Sequence, residues 1–170
     1  MKIAVDAMGG DYAPKVVIEG SIAAAKEYGA KVILVGDEAK IKPLLQKAKY
    51  PDGSIEIVHA PETIEMCESA ALSVRRKRNS SIVVGLSLVK EGKADAFFSA
   101  GNTGAVVCAA TLELRLLPGV ERPGIAIVTP TLKGIALIID VGANIDPKPN
   151  QLLQYGIMAD VYCRNILDKN

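Results

Sequence analysis

Short apolar runs alternate along the chain with longer amphipathic stretches. Lys2–Val5 reads as a buried strand that ends in the turn cluster Met8-Gly9-Gly10-Asp11. Pro14 suits the first turn of a helix, where Val17, Ile18, Ile22 and Ala25 recur at helical spacing and Gly29 stops the chain. Lys31–Val35 reads as a second strand, closed by Gly36-Asp37. Glu38–Ala48 reads as a helix interrupted early by Pro43, and Ile55–Val58 as a third strand.

Residues 60–80 break this rhythm. An acidic stretch (Glu62, Glu65, Glu68) precedes the cationic run Arg75-Arg76-Lys77-Arg78. Ser80 or Ser81 then caps a helix with Ile82, Leu86 and Val89 on one face. Ala94–Ser99 reads as a strand, and Ala105–Leu117 as an apolar helix ended by Pro118-Gly119. Gly124–Val128 and Ile135–Asp140 read as strands joined by the turn Pro130–Gly134. A last helix after Pro149 carries Leu153, Ile157 and Val161 at i, i+4, i+8 as its apolar stripe. Strands alternating with helices predict an α/β fold: a mainly parallel sheet with helices on both faces, in three α-β-α layers.

The 170 residues suffice for one lobe with its own core. Lys and Arg total 20 and Asp and Glu 19, so no net field argues for nucleic acid as a partner. Aromatic residues make up 4% with no Trp, too few for a base-stacking platform. Cys67, Cys108 and Cys163 are odd in number and widely spaced. They read as reduced, buried small hydrophobes of a cytoplasmic protein, not as disulfides or zinc ligands. His59 is the single histidine, which leaves little basis for a Cys–His dyad or a metal site.

Three Gly-rich loops follow predicted strands, where open α/β sheets place their ligands. In Ser99-Ala-Gly101-Asn102-Thr103-Gly104, the glycines admit a close backbone approach and the polar side chains offer hydrogen bonds. The loop opens at Ala105 into a helix N-terminus that favours an anion. The same residues also make an ordinary strand-to-helix turn with Thr103 as N-cap. Asp6-Ala-Met-Gly9-Gly10-Asp11 and Asp140-Val-Gly-Ala-Asn144 each place acids and amides to orient a substrate or merely to cap. Arg75, Arg76 and Lys77 suit a solvated face, a phosphate clamp or an acidic protein partner, and the three glutamates can pair with them.

The opening Met1–Asp11 with Pro14, the segment Arg75–Ser81, the loop Ser99–Ala105 and Asp140–Asn144 with Lys148-Pro149 and Gln151–Tyr155 occur in order. Together they resemble the bacterial phosphate acyltransferases of phospholipid synthesis (PlsX family). The resemblance implies a fold similar to isocitrate and isopropylmalate dehydrogenases and to phosphotransacetylase. It implies that these residues form a single lobe, the N-terminal part of a longer two-lobed enzyme. It further implies acyl transfer from acyl carrier protein to inorganic phosphate, without a cofactor. The product would pass to a membrane glycerol-3-phosphate acyltransferase, and the enzyme would be a cytoplasmic homodimer, peripheral to the membrane at most. On this reading Asp6, Asn102, Thr103 and Asn144 are the catalytic candidates. Gly9, Gly10, Asp11, Arg75, Arg76, Lys77, Ser99, Gly101, Gly104, Ala105 and Asp140 are the candidates for binding phosphate and substrate.

Overall fold

A computed structural model describes residues 1–168. The chain forms two compact units, Met1–Arg115 and Leu116 onward, and each is described by itself.

In the first unit, β1 (Lys2–Asp6), β2 (Lys31–Gly36), β3 (Ile55–His59) and β4 (Ala96–Phe98) form a parallel sheet in the order β3-β2-β1-β4. Successive side chains of a strand point to opposite faces, and here both faces are apolar. Val5, Val32 and Leu34 pack with α1 (Lys15–Tyr28) and α2 (Glu38–Gln46) through Ile18, Ile22, Ile41 and Leu45. Ala4, Ile33 and Val35 face the other way and pack with Leu88 of α4 (Ser81–Lys90). Beside them, α3 (Ala70–Arg76), α4 and α5 (Thr103–Glu113) share the cluster of Val74, Ile82, Leu86, Ala105 and Ala109.

From β1 to β3 the chain steps outward in one direction, with α1 and α2 on one face. It then crosses back over the other face through α3 and α4 to place β4 beside β1. A right-handed crossover requires that change of face when the direction reverses. The reversal sets the loops after β1 and β4 side by side at the carboxyl ends of the strands, the position where such sheets place their ligands.

Several local expectations change. Helix α2 runs through Pro43 without the expected interruption and ends at Gln46, with Ile41 and Leu45 buried on either side of the proline. Helix α3 had no periodic signal, since a two-turn element burying only Ser73 and Val74 repeats no pattern. Ser80, not Ser81, caps α4 and accepts from the Val83 N–H. Helix α5 ends at Glu113, four residues before the expected Leu117. Cys67 is exposed, and Cys108 and Cys163 are half-buried free thiols. The His59 ring accepts the Glu38 N–H at 3.3 Å, a role at the sheet edge.

In the second unit, β5 (Ala126–Thr131) and β6 (Gly134–Ile139) form an antiparallel hairpin, and α6 (Pro149–Asn165) packs on β6. The loop Asp140–Asn144 therefore follows a hairpin strand and not a strand of the parallel sheet. The stripe expected to face the core also points away from it: Leu153, Ile157 and Val161 are 63%, 56% and 53% exposed. Gln151 and Tyr155 are buried instead. Tyr155 lies about 200° around the helix from Leu153, so only one of these two faces can meet β6.

Gly85 lies in α4 directly beneath Phe97, with no room for a Cβ. Gly85→Val should destabilise the protein by about 1–3 kcal/mol through overpacking. Thermal or denaturant unfolding would show it, and an unchanged midpoint would contradict the α4–β4 contact.

Candidate active-site floor

The Asp6 carboxylate sits at the end of β1 and is only 1% exposed. Oδ1 accepts the Met8 N–H at 3.0 Å, which turns the loop after β1. Oδ2 accepts the Ser99 hydroxyl at 2.7 Å, from the end of β4. Ser99 Oγ in turn accepts the Gly101 N–H at 3.0 Å. One buried carboxylate thus ties the two loops together across the crevice.

The loops then touch backbone to backbone. A Cβ on Gly9 would collide with Asp6 Oδ2 and lie 2.9 Å from the Gly101 N. A Cβ on Gly101 would lie 3.2 Å from the Gly9 Cα. Gly10 has φ +106 and abuts Ala100, a conformation that side chains rarely accept. The glycines are therefore needed for the contact between the loops.

Asn102 caps α5. Its Oδ1 accepts the Ala105 N–H at 3.0 Å, so Asn102 and not Thr103 is the N-cap. Its Nδ2 donates to the carbonyls of Glu65 at 3.1 Å, Met66 at 3.3 Å and Glu68 at 3.1 Å. The expected catalytic side chain is thus spent on scaffolding, and so is the Ala105 N–H. Asp6 is likewise a positioning group. Thr103 and Gly104 are exposed in the first turn of α5, and their N–H groups meet no acceptor among the described residues. Unpaired first-turn N–H groups are the ones that helix N-termini in general offer to anions. Asp11 is exposed at the rim.

The cationic run divides. Lys77 Nζ donates to the Thr63 carbonyl at 2.7 Å and to Glu68 Oε1. Arg78 pairs with Glu113 at 2.9 Å. Arg75 and Arg76 are exposed at the end of α3 with no ion pair among the described residues. Arg76, Ser69 and Leu72 help line a shallow cavity of about 270 Å³ beside Glu68. Of the three glutamates, Glu68 pairs with the run, and Glu62 instead accepts the Asn79 N–H at 2.9 Å.

Glu68 was not among the candidates, yet it ties the 65–68 turn to α3. Hydrogen bonds from Lys77, then from Ser73, then from the Glu65 N–H hold its carboxyl down at about 2. The acidic stretch seven to sixteen residues ahead of a cationic run was its only signal in the sequence.

In the second unit, Asp140 Oδ1 accepts the Ile125 N–H at 2.7 Å and Oδ2 accepts the Asn144 N–H at 2.8 Å. Burial pushes its carboxyl up, but the N–H groups of Ile125, Asn144 and Ala143 outweigh that and hold it below the usual range. Asn144 Nδ2 donates to the Pro123 carbonyl at 3.0 Å, and Oδ1 faces Arg122 at 3.4 Å. Burial, then the Asp140 charge, raises the Tyr155 hydroxyl. These groups hold the loop in shape and leave Arg122 and Lys148 lining a cavity of about 360 Å³.

The model of the fatty acid synthesis protein family matches residues 1–170. The chain belongs to the fatty acid synthesis protein family. Its relatives include a phosphate acyltransferase of Pelotomaculum thermopropionicum, 49% identical over 98% of this chain and 48% of the relative. One of Alkaliphilus oremlandii is 47% identical over 99% of this chain and 50% of the relative. The chain thus spans about half the length of these family members. A phosphotransacetylase structure from Streptococcus pyogenes superposes over 92% of this chain and 51% of that one. Its TM-score is 0.66 at 22% identity, which supports the three-layer α/β fold.

Asn102→Ala removes a cap and three loop contacts and should cost about 1–3 kcal/mol, measurable by denaturant unfolding. Acid should loosen the 65–77 segment in a defined window. Glu68 titrates at about 2 when folded, below its ordinary 4.5. Its contribution is therefore complete above about 4.5 and is lost as pH falls towards 2. Amide protection of this segment, taken relative to the intrinsic exchange rate at each pH, should fall across that window, and in Lys77→Met the effect should shrink; equal profiles would contradict the pairing.

Proposed function

We propose that this chain forms the phosphate-binding floor of an enzyme that makes acyl phosphate from acyl carrier protein thioesters. The observation that supports it best is the exposed first turn of α5. Thr103 and Gly104 present free N–H groups and a hydroxyl at the crevice, above a floor locked by Asp6, Ser99, Gly9 and Gly101.

In this reading hydrogen phosphate is itself the nucleophile, so no Ser–His or Cys–His dyad is required. A phosphate oxygen attacks the thioester carbonyl, the C–O bond forms and the C–S bond breaks. The carrier departs as its thiol, taking the proton that the hydrogen phosphate brought. The chain's task is to hold phosphate in line and to stabilise negative charge as it develops. Thr103 and the N–H groups at 103 and 104 serve phosphate. Asp6, Ser99 and Asn102 hold those groups in place.

Arg75 and Arg76 face solvent without partners among the described residues, which suits a large acidic carrier better than a small enclosed anion. Lys77 keeps α3 and the 65–68 turn in place beneath them. Asp140 and Asn144 shape a second ligand-facing loop, with Arg122 and Lys148 as its cations. The working enzyme is proposed as a longer two-lobed chain and a cytoplasmic homodimer at the membrane periphery. It would supply a membrane glycerol-3-phosphate acyltransferase and thereby phosphatidic acid synthesis. Among the described residues no helix is long and apolar enough to cross a membrane.

Acyl phosphate can be trapped as a hydroxamate. The test uses this chain alone and this chain joined to the part of the Pelotomaculum relative that it does not match. The joined protein should turn over acyl carrier thioester with phosphate. Phosphate binding without turnover in the joined protein would favour a non-catalytic binding lobe instead. In Gly104→Val the added side chain crowds Ala70, where even a Cβ comes within 3.1 Å. The KM for phosphate should rise about tenfold or more, the scale of one lost charge-assisted contact. An unchanged KM would remove this loop from the phosphate site.

A further inference from the structure

Three charged side chains of the second unit, Arg122, Asp146 and Lys148, line the cavity of about 360 Å³ beside the Asp140–Asn144 loop. Neither cation forms an ion pair with Asp146 or with any other carboxylate of the described residues. Arg122 is oriented by a neutral group instead: one guanidinium N–H reaches Asn144 Oδ1 at 3.4 Å. Asn144 is itself fixed, since its Nδ2 donates to the Pro123 carbonyl at 3.0 Å. The guanidinium charge is thus aimed but not compensated, and most of its donors stay free. The Asp140 carboxylate behind Asn144 is occupied by the N–H groups of Ile125 and Asn144.

The deciding group is Gln151, which lines the same cavity and is only 7% exposed. Its Oε1 accepts the Lys148 N–H at 2.9 Å, which settles the orientation of the amide. Its Nε2 has no acceptor among the described residues, and a buried donor left unmet costs free energy. Gln151 also stands in the first turn of α6, where the helix dipole is positive. Two unpaired cations, a free amide donor and a helix N-terminus therefore converge on one space. Asp146 opposes them with a single charge and is exposed.

We propose that this cavity binds the phosphoryl group of a phosphate ester through Gln151 Nε2, Arg122 and Lys148. A tetrahedral anion offers acceptors in several directions, which suits a guanidinium fork, an ammonium and an amide at once. The cavity falls in the size range of small-molecule pockets, on the order of 300–1,000 Å³, and exceeds what a bare phosphate ion fills. Ile145, 99% exposed, and Asp146 line the rest, which suits an uncharged amide-bearing tail. Acyl carriers present their cargo on such a tail, joined through a phosphodiester. The assignment to a carrier rests on the proposed reaction; the phosphoryl site rests on the second unit alone.

Nitrogen-15 spectra of the chain provide the test, with pantetheine 4′-phosphate as the probe. The Gln151 side-chain amide and the Ala143 and Asn144 amides should shift together and saturate. Gln151→Glu keeps an oxygen for the Lys148 N–H but removes the free donor, so affinity should fall about tenfold or more. Lys148→Met changes an exposed side chain, keeps its stem and should weaken binding similarly, which secures the result if the first variant unfolds. Inorganic phosphate should bind at least about tenfold more weakly than the ester, because it lacks the tail. Pantetheine without its phosphate should not saturate the site. Unmoved signals at residues 143–151, or unchanged affinity in the folded variants, would overturn the proposal. So would equal affinity for inorganic phosphate or for pantetheine. Shifts confined to the Thr103 and Gly104 amides would uphold the α5 phosphate site and remove this one.

Discussion

The buried Asp6 carboxylate is the constraint on which the crevice depends. A charged group that is nearly inaccessible must have its lone pairs occupied, or its burial costs several kcal/mol. Here the Met8 N–H and the Ser99 hydroxyl occupy them, one from each loop. Satisfying one carboxylate therefore sets the separation of the loops after β1 and β4. The Gly9–Gly101 contact follows, because at that separation no side chain fits between the backbones. Loss of the Ser99 hydroxyl would leave Asp6 Oδ2 buried without its donor, which couples the two strand ends beyond their three-pair sheet contact.

From that floor the architecture extends by a second anchored loop. Asn102 caps α5 with one end of its amide and gathers three carbonyls of the 65–68 turn with the other. Glu68 then ties the same turn to Lys77 and Ser73 of the α3 region. A chain of hydrogen bonds thus runs from the sheet, through the cap, to the base of the cationic run. It leaves Arg75 and Arg76 projecting from a fixed helix end. The exposed cations, Thr103 and the first N–H groups of α5 are the polar groups here without partners among the described residues. Most of the other polar residues around them are structural.

Strand–helix alternation and the Gly-rich loops were legible in the sequence because they rest on local chemistry. Period-2 and period-3.6 patterns reflect which side of an element is buried, and glycine marks close backbone approach. The alternation held for β1 to β4 and for α1, α4 and α5. It missed α3, which is too short to repeat; α6 forms as expected, but its apolar stripe faces outward while Gln151 and Tyr155 are the buried residues. An apolar stripe shows that a face seeks cover and does not say which neighbour supplies it. In the first unit the structure brings Asp6, Gly9, Gly10, Ser99, Gly101, Asn102, Thr103 and Gly104 together at the ends of β1 and β4. Their roles were not legible, because a polar residue reads the same whether it touches a ligand or a neighbouring loop.

By itself, then, the sequence determined the α/β class, the positions of the turns and the family to which the chain belongs. Each of these rests on residue type and spacing along the chain. Only the tertiary structure decided that Asn102 and Asp6 are scaffolding, that Lys77 is spent on Glu68 while Arg75 and Arg76 stay free, and that Asp140 follows a hairpin instead of a parallel strand. Those outcomes turn on which hydrogen-bond partners the fold brings within about 3 Å. Partners such as Asp6 and Ser99, separated by 93 positions in the chain, are invisible to any local pattern.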